Sequence, residues 1–139
     1  MLRLVLVGVA AGVAFLILDG VVNGNPLARE LYAPYKAIAR PSVNAVAGSV
    51  VDLVYGVVLV LLFSTLRPSL PGYGNLAKAL SFGVMVWFLR VCMRVAGEWV
   101  MTAVPARAHA YTLVAGLVQI LIVACIIGLL IPATEAGTA

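Results

Sequence analysis

Residues 113–131 read LVAGLVQILIVACIIGLLI and decide the fold, because Gln119 is the only strongly polar side chain among them. A helix needs about 20 predominantly apolar residues to cross the roughly 30 Å hydrocarbon core of a bilayer. Backbone groups surrounded by lipid must find hydrogen-bond partners within their own segment, and a helix achieves this. The stretch therefore predicts a membrane-spanning helix over about residues 109–131, ended by Pro132.

Three more apolar runs of similar length precede this one, with turn-forming residues between them. They predict helices over about residues 2–22, 42–66 and 76–103. We therefore expect an all-α fold, a four-transmembrane-helix bundle that forms a single integral membrane domain over residues 1–139. A short loop joins the second helix to the third, which predicts that these two helices are antiparallel neighbours.

The composition of the whole chain also indicates a membrane protein. Of its 139 residues, 64% are hydrophobic and 10% are charged, and the mean hydropathy is +1.15. A soluble domain is about a quarter charged, and one of this size could not hide so much apolar surface from water. The net charge is +4, but the basic residues are scattered near helix ends, where they can meet lipid phosphates. Nucleic-acid binding is therefore not expected.

A predicted surface segment, residues 27–38, lies between the first two helices. Its apolar residues recur at near-helical spacing, and Pro34 interrupts any long helix. Tyr32 and Tyr35 are expected at the level of the lipid headgroups, where aromatic side chains are enriched. We interpret the segment as interfacial, lying along the membrane surface, with a plain solvated loop as the alternative.

Five ionisable side chains within the predicted spans are the sharpest functional clue. Each costs about 2.5–3.5 kcal/mol at mid-bilayer on insertion scales, so each needs compensation. Counted at about 1.5 Å per residue, they fall in the same half of the membrane. These residues are Asp19, Asp52, Arg90, Arg94 and Glu98.

Asp52 on helix two and Arg94 on helix three each lie about 14 Å deep by the same count. Opposite charge and matched depth predict an ion pair between them, with the other three residues as a second ring. Arg90, Arg94 and Glu98 are spaced four apart, which places them on one face of helix three. The cluster has two interpretations: a structural network that fixes helix packing, or a site for an ion, a proton or an anionic ligand.

Two strips of glycine accompany the cluster. Gly8 and Gly12 lie one turn apart on helix one, and Gly48 and Gly56 flank Asp52 on helix two. Small residues at this spacing let helix backbones approach closely. The strip on helix two also leaves room for a long side chain to reach Asp52.

The other reactive side chains form no chemical motif. Cys92 and Cys125 lie in apolar runs without CxxC spacing, so buried packing is expected of them. His109 stands alone at a helix start and is expected near the interface. Trp87 could stack on the guanidinium of Arg90, although packing is its expected role. No nucleophile–base pair, metal cluster or phosphate loop is visible, so neither an enzyme nor a cofactor is expected.

Several motifs resemble a loose group of small bacterial four-helix integral membrane proteins of unknown function. These are FLILDG at residues 15–20 followed by Leu31-Tyr32, LVYG at 53–56 with the run to Leu66, and KALSFG at 78–83. The resemblance covers most of the chain. It implies a bacterial cytoplasmic (inner) membrane location and no activity, and it transfers no site residue.

The expected function is that of a structural or accessory integral membrane protein, either a small subunit of a larger membrane complex or a homo-oligomer. Its expected partners are membrane lipids and other membrane protein subunits or itself. The alternative is a small ion, proton or anion transporter or channel that uses the intramembrane cluster of Asp52, Arg90, Arg94 and Glu98. A polar cavity around Asp52 would favour the alternative.

Four spans predict that the 67–75 loop and the C-terminus lie on the same side of the membrane. Basic residues are nearly balanced between the two sides, so the sequence does not decide which side this is. Reporter fusions within the 67–75 loop and at the C-terminus should therefore give the same topology signal. Opposite signals would contradict the four-span topology.

Overall fold

The computed structural model describes residues 2–37, 42 and 44–131, and these residues form an all-helical fold. Each of the four long helices is long and apolar enough to cross a membrane, which confirms that part of the sequence prediction. The long helices are α1 (Leu2–Gly24), α3 (Ala45–Leu66), α4 (Gly74–Met101) and α5 (Ala106–Leu130). Short helix α2 (Pro26–Leu31) and two 3-10 turns, Ala33–Ala37 and Arg67–Ser69, lie between them.

Asparagine caps set two of the helix starts. The Asn44 side chain accepts a hydrogen bond from the Ala47 backbone N–H at 3.0 Å, so α3 begins a few residues later than predicted. Asn25 likewise accepts from the Ala28 N–H at 2.9 Å and starts α2, with a proline at the first helical position. Asparagine is favoured at this position because it satisfies a free N–H of the first turn.

The long helices pack in the order α3, α1, α5, α4. Close backbone packing joins α1 to α3, α1 to α5 and α4 to α5. The second and third helices, predicted to be antiparallel neighbours, are in contact, but their backbones do not pack closely. Within the described residues, α3 and α4 meet through large side chains, such as Phe63 and Phe82 with ring centroids 5.6 Å apart. Small residues explain the choice of partners, because they let α1 approach α3 and let α4 approach α5.

The α1–α3 contact brings two backbones together at glycines. A methyl group on Gly56 would lie 2.5 Å from the Gly8 carbonyl oxygen and 2.6 Å from Gly12 Cα. A methyl group on Gly12 would lie 2.7 Å from Leu53 Cα. Real Cβ atoms essentially never come this close to another atom. A methyl group on Gly48 would meet no atom within 4 Å, so the strip on helix two is used at Gly56 and not at Gly48.

The α4–α5 contact also depends on glycines at the points of close approach. A methyl group on Gly83 would lie 2.8 Å from Ala124 Cβ, and one on Gly128 would lie 2.7 Å from Ala79 Cβ. The Asn75 side-chain amide fastens the start of α4 to the end of α5 by donating to the Gly128 carbonyl oxygen at 2.5 Å. The two helices are therefore antiparallel along their length.

The two ends of the bundle differ in character. We call residues 25–37, which include α2 and the turn Ala33–Ala37, the connector. At the end of the bundle that carries the connector and residues 102–105, the interior contains polar side chains. Towards the opposite end the fully buried side chains are apolar, and the Asn75 Oδ1 atom is the one buried side-chain polar atom there without a partner among the described residues. The most deeply buried side chains at this end are Phe63, Phe82, Val60, Val123 and Ile127.

The predicted surface segment is helical but is held by the bundle. The Tyr32 hydroxyl lies 2.9 Å from Thr112 Oγ1 on α5, and the Tyr35 hydroxyl donates to Glu98 Oε2 on α4 at 3.0 Å. Both tyrosines are half-buried. Ile38, the last residue of the predicted segment, lies outside the described residues.

The glycine contact predicts a sharp difference between two alanine substitutions on α3. Gly56→Ala should lower the free energy of unfolding by about 2 kcal/mol or more, because the new methyl group meets backbone that cannot move without separating α1 from α3. Gly48→Ala adds the same group to the same helix in open space and should change stability by less than about 0.5 kcal/mol. Unfolding in mixed detergent, followed by circular dichroism, measures both. Equal effects would contradict the contact.

Candidate functional site

A π-helical turn, Phe88–Cys92, interrupts α4 at Arg90. Its hydrogen bonds reach one residue further than in an α-helix, which widens the turn and shifts the phase of the helix. The regular spacing of the charged residues predicts an unbroken α-helix, so the sequence does not reveal this turn. Such turns occur frequently at functional sites.

Beside the π turn is a cleft with a volume of about 130 Å³, enclosed by α1, α4 and α5. Both of its charged lining residues are cationic, Arg90 and Arg94. Asn23, Thr112 and Gln119 add polar groups. The rest of the wall is formed by small or apolar residues: Phe15, Val22, Val91, Ala115, Gly116 and Ile120.

Arg90 is held by aromatic rings. Its Cζ atom lies 4.0 Å from the centroid of the Tyr55 ring on α3 and 5.0 Å from that of the Phe15 ring on α1. The two rings pack edge to face with centroids 5.1 Å apart. A cation over ring faces at these distances is attracted by the negative face of the π system. Arg90 therefore links α4 to α1 and α3.

Trp87 has a different role from the stacking considered above. Its indole N–H donates to the Leu113 carbonyl oxygen on α5 at 2.9 Å. Sequence reasoning missed Phe15 and Tyr55 as partners of Arg90. Their positions in the sequence could have indicated this contact, since Phe15 lies one turn from Asp19 and Tyr55 lies three residues from Asp52.

Asp52 is buried, with 8% of its surface exposed. The arginine that lies against the same helix is Arg90, whose guanidinium group is over the ring of Tyr55. Arg94 instead pairs with Glu98 on its own helix, with 3.6 Å between Nε and Oε1. The predicted Asp52–Arg94 ion pair is therefore wrong. α3 packs closely against α1 and not against α4, so the arginine that reaches α3 is Arg90.

Asp19 is bound from α5. The Gln119 side-chain amide donates to Asp19 Oδ1 at 3.1 Å and is 3.5 Å from the Phe15 carbonyl oxygen. Gln119 is only 6% exposed. A buried amide without a partner would be costly, so this bond fixes how α1 faces α5.

Glu98 joins the connector to α4. It accepts the hydrogen bond from the Tyr35 hydroxyl and also pairs with Arg94. Burial raises the pKa of Tyr35, and the hydrogen bond to Glu98 raises it further. Tyr35 therefore keeps its proton at neutral pH and remains a donor to Glu98.

A second polar group seats the connector on α5. The Asn25 side-chain amide donates to the Tyr111 hydroxyl at 2.7 Å, and that hydroxyl donates to the Val22 carbonyl oxygen at 2.6 Å. The ring of Tyr32 packs edge to face against that of Tyr111, with centroids 5.8 Å apart. The end of α1 and the start of α2 are therefore anchored to α5.

His109 lies in the first turn of α5, near the helix start as expected, and is buried inside the bundle. It is 5% exposed, and its Nε2 atom has no hydrogen-bond partner within the described residues. It does not line the cleft. Cys92 and Cys125 are free thiols. No group of three or more His, Cys, Asp or Glu side chains in the described part of the chain could share a metal ion.

The five predicted site residues thus divide into distinct contacts around one cleft. Arg90 and Arg94 line it, and Asp19 and Glu98 bind residues that line it. Asp52 does not line it. The arrangement presents two guanidinium groups, which suit an anion better than a cation. No family model, curated protein or solved structure matches the chain, so the resemblance to small bacterial membrane proteins stays a prediction.

The corrected contacts predict which arginine is energetically coupled to Asp52. In double-mutant cycles, Asp52→Asn should couple to Arg90→Gln by about 0.5–3 kcal/mol, because interacting residues depart from additivity by this amount. The matched cycle with Arg94→Gln should be additive. Free energies of unfolding in mixed detergent measure both cycles. A larger coupling with Arg94 would restore the pair that the sequence suggested.

Proposed function

We propose that the chain is an integral membrane protein that acts by binding, as a structural or accessory component of a larger membrane complex or as a homo-oligomer. The four long apolar helices would span the bilayer. One observation carries the proposal: the polar interior ends against a close-packed apolar half of the bundle. This favours a site that holds something over a path that lets something through.

The distribution of buried polar groups supports this interpretation. Within the described residues, the buried polar or charged side chains are Asp52, His109 and Gln119. Asp52 and His109 lie towards the connector end, and Gln119 lies at the middle of α5. The interior beyond Gln119 is formed by apolar side chains, including Ile120 and Ile127. An ion crossing that region would lose its hydration without any replacement, which costs many kcal/mol.

The polar contacts also support a structural role for the cluster. Gln119 joins α5 to α1 through Asp19, Arg90 joins α4 to α1 and α3, and Glu98 joins α4 to the connector. Each contact lies between elements and would fix their relative position. Such contacts specify one arrangement among helices whose apolar faces alone would pack in several ways.

Transport by Asp52, Arg90, Arg94 and Glu98 is the second candidate, and the cationic cleft is the observation that favours it. Transport would require the contact between the Phe63 and Phe82 rings to open during each transport cycle. Catalysis is not proposed, and neither a cofactor nor nucleic acid is a proposed ligand. The proposed location is a bacterial cytoplasmic membrane, which rests on the sequence resemblance.

Two measurements together test the binding role against transport. Purified protein in liposomes should show no proton or chloride flux above empty liposomes, because the apolar half blocks the path. In mild detergent the protein should have the mass of a homo-oligomer or should retain a stoichiometric membrane protein partner. A monomer without a partner, combined with a flux that Asp52→Asn abolishes and the exposed control Glu30→Gln leaves intact, would establish the transporter instead.

A further inference from the structure

We propose that the cleft between α1, α4 and α5 binds the phosphate of an anionic phospholipid, with Arg90 and Arg94 as the phosphate ligands. The inference rests on the proposed function, since it assumes that the helices span a bilayer. It adds the ligand class of the binding site.

The charge of the cleft wall is the first argument. Its two charged residues are both arginines, although three carboxylates lie nearby. Asp19 accepts a hydrogen bond from the Gln119 side-chain amide, and Asp52 does not line the cleft. Glu98 accepts the Tyr35 hydroxyl and also pairs with Arg94, with 3.6 Å between Oε1 and Nε. The cleft therefore presents two guanidinium groups, of which only that of Arg94 has a close carboxylate.

The geometry of the two guanidinium groups is the second argument. Arg94 faces Glu98 through its Nε atom, and its side chain is 61% exposed. The side chain is therefore accessible to a phosphate, which the planar fork of arginine matches with two parallel hydrogen bonds. Arg90 is also exposed, and aromatic rings position it. A phosphate bound there would not have to displace a close carboxylate from Arg90.

The position of the arginines favours a lipid over a soluble anion. Asn23 lies beside the end of α1 at Gly24, at the mouth of the cleft. Arg94 lies roughly 10 Å along α4 from its end at Met101, and a long arginine side chain can reach from that depth towards the headgroups. Leu89, next to Arg90 on α4, is 62% exposed, so an acyl chain can lie beside a phosphate bound at the cleft.

The size of the cleft fits a headgroup and not a whole lipid. A volume of about 130 Å³ is about ten times the roughly 10–15 Å³ that a cavity needs to hold one water molecule. A phosphate with its glycerol carbon fits this space. The acyl chains would then leave the cleft and lie against the exposed apolar residues of α4, including Phe88 and Leu89.

Native mass spectrometry on the full chain tests the proposal directly. The protein is offered equal amounts of phosphatidylglycerol and phosphatidylcholine with identical acyl chains. Wild type should retain phosphatidylglycerol with a preference of about tenfold, because charge-assisted hydrogen bonds to arginine distinguish the anionic lipid. Arg90→Gln with Arg94→Gln should remove the preference. The control Arg29→Gln, an exposed arginine on α2 outside the cleft, should keep it.

A third variant protects the test against misfolding of the double mutant. Ala115→Leu fills the cleft without changing any charge and should also reduce the retention of phosphatidylglycerol. Equal retention of the two lipids by wild type would overturn the proposal, as would an unchanged preference in both cleft variants. Release of phosphatidylglycerol by millimolar inorganic phosphate, with phosphate bound in its place, would reassign the site to a soluble anion. None of these outcomes changes the mass or flux results that test the binding role itself.

Discussion

The backbone contact between α1 and α3 is the constraint on which the rest of the bundle depends. At Gly12 and Gly56 the two helices lie so close that neither position has room for a methyl group. Association of helices in lipid is driven by such packing, since burying apolar side chains gives little advantage there. Because α3 packs against α1, and α4 packs against α5 at Gly83, the contact between α3 and α4 is formed by large side chains. Phe63 and Phe82 form that contact towards the opposite end.

This arrangement explains why the polar groups interact as they do. Where α3 and α4 do not pack by their backbones, only a long side chain can span the distance, and Arg90 does so by lying over Tyr55. Asp19 faces α5 and takes its partner from Gln119. Arg94 is left beside the cleft with Glu98. A cationic cleft is therefore a consequence of where the small residues lie.

Much of the fold could be predicted from the sequence, because four long apolar runs permit few structures besides four long helices. The close approach of helices at Gly8 and Gly12 was also readable, since only small residues allow it. Which helices pack closely could not be predicted, because a short loop places two helices side by side but does not require their backbones to approach closely. The Asp52–Arg94 pair failed for the same reason: depth along a helix is countable, whereas rotation and neighbour depend on packing. The π turn at Arg90 has no signature in the hydrophobic periodicity.

The structural and the binding interpretations of the charged cluster are compatible, because the same side chains can serve both. Glu98 pairs with the Nε of Arg94, and the exposed Arg94 side chain also lines the cleft. Tyr55 and Phe15 stabilise Arg90 through their ring faces, and Arg90 remains exposed. A network made only of carboxylate–arginine pairs would use up the N–H donors of the arginines. Aromatic rings surround Arg90, and a single carboxylate, that of Glu98, pairs with Arg94. The two arginines can therefore hold helices together and, as proposed above, still bind an anionic ligand.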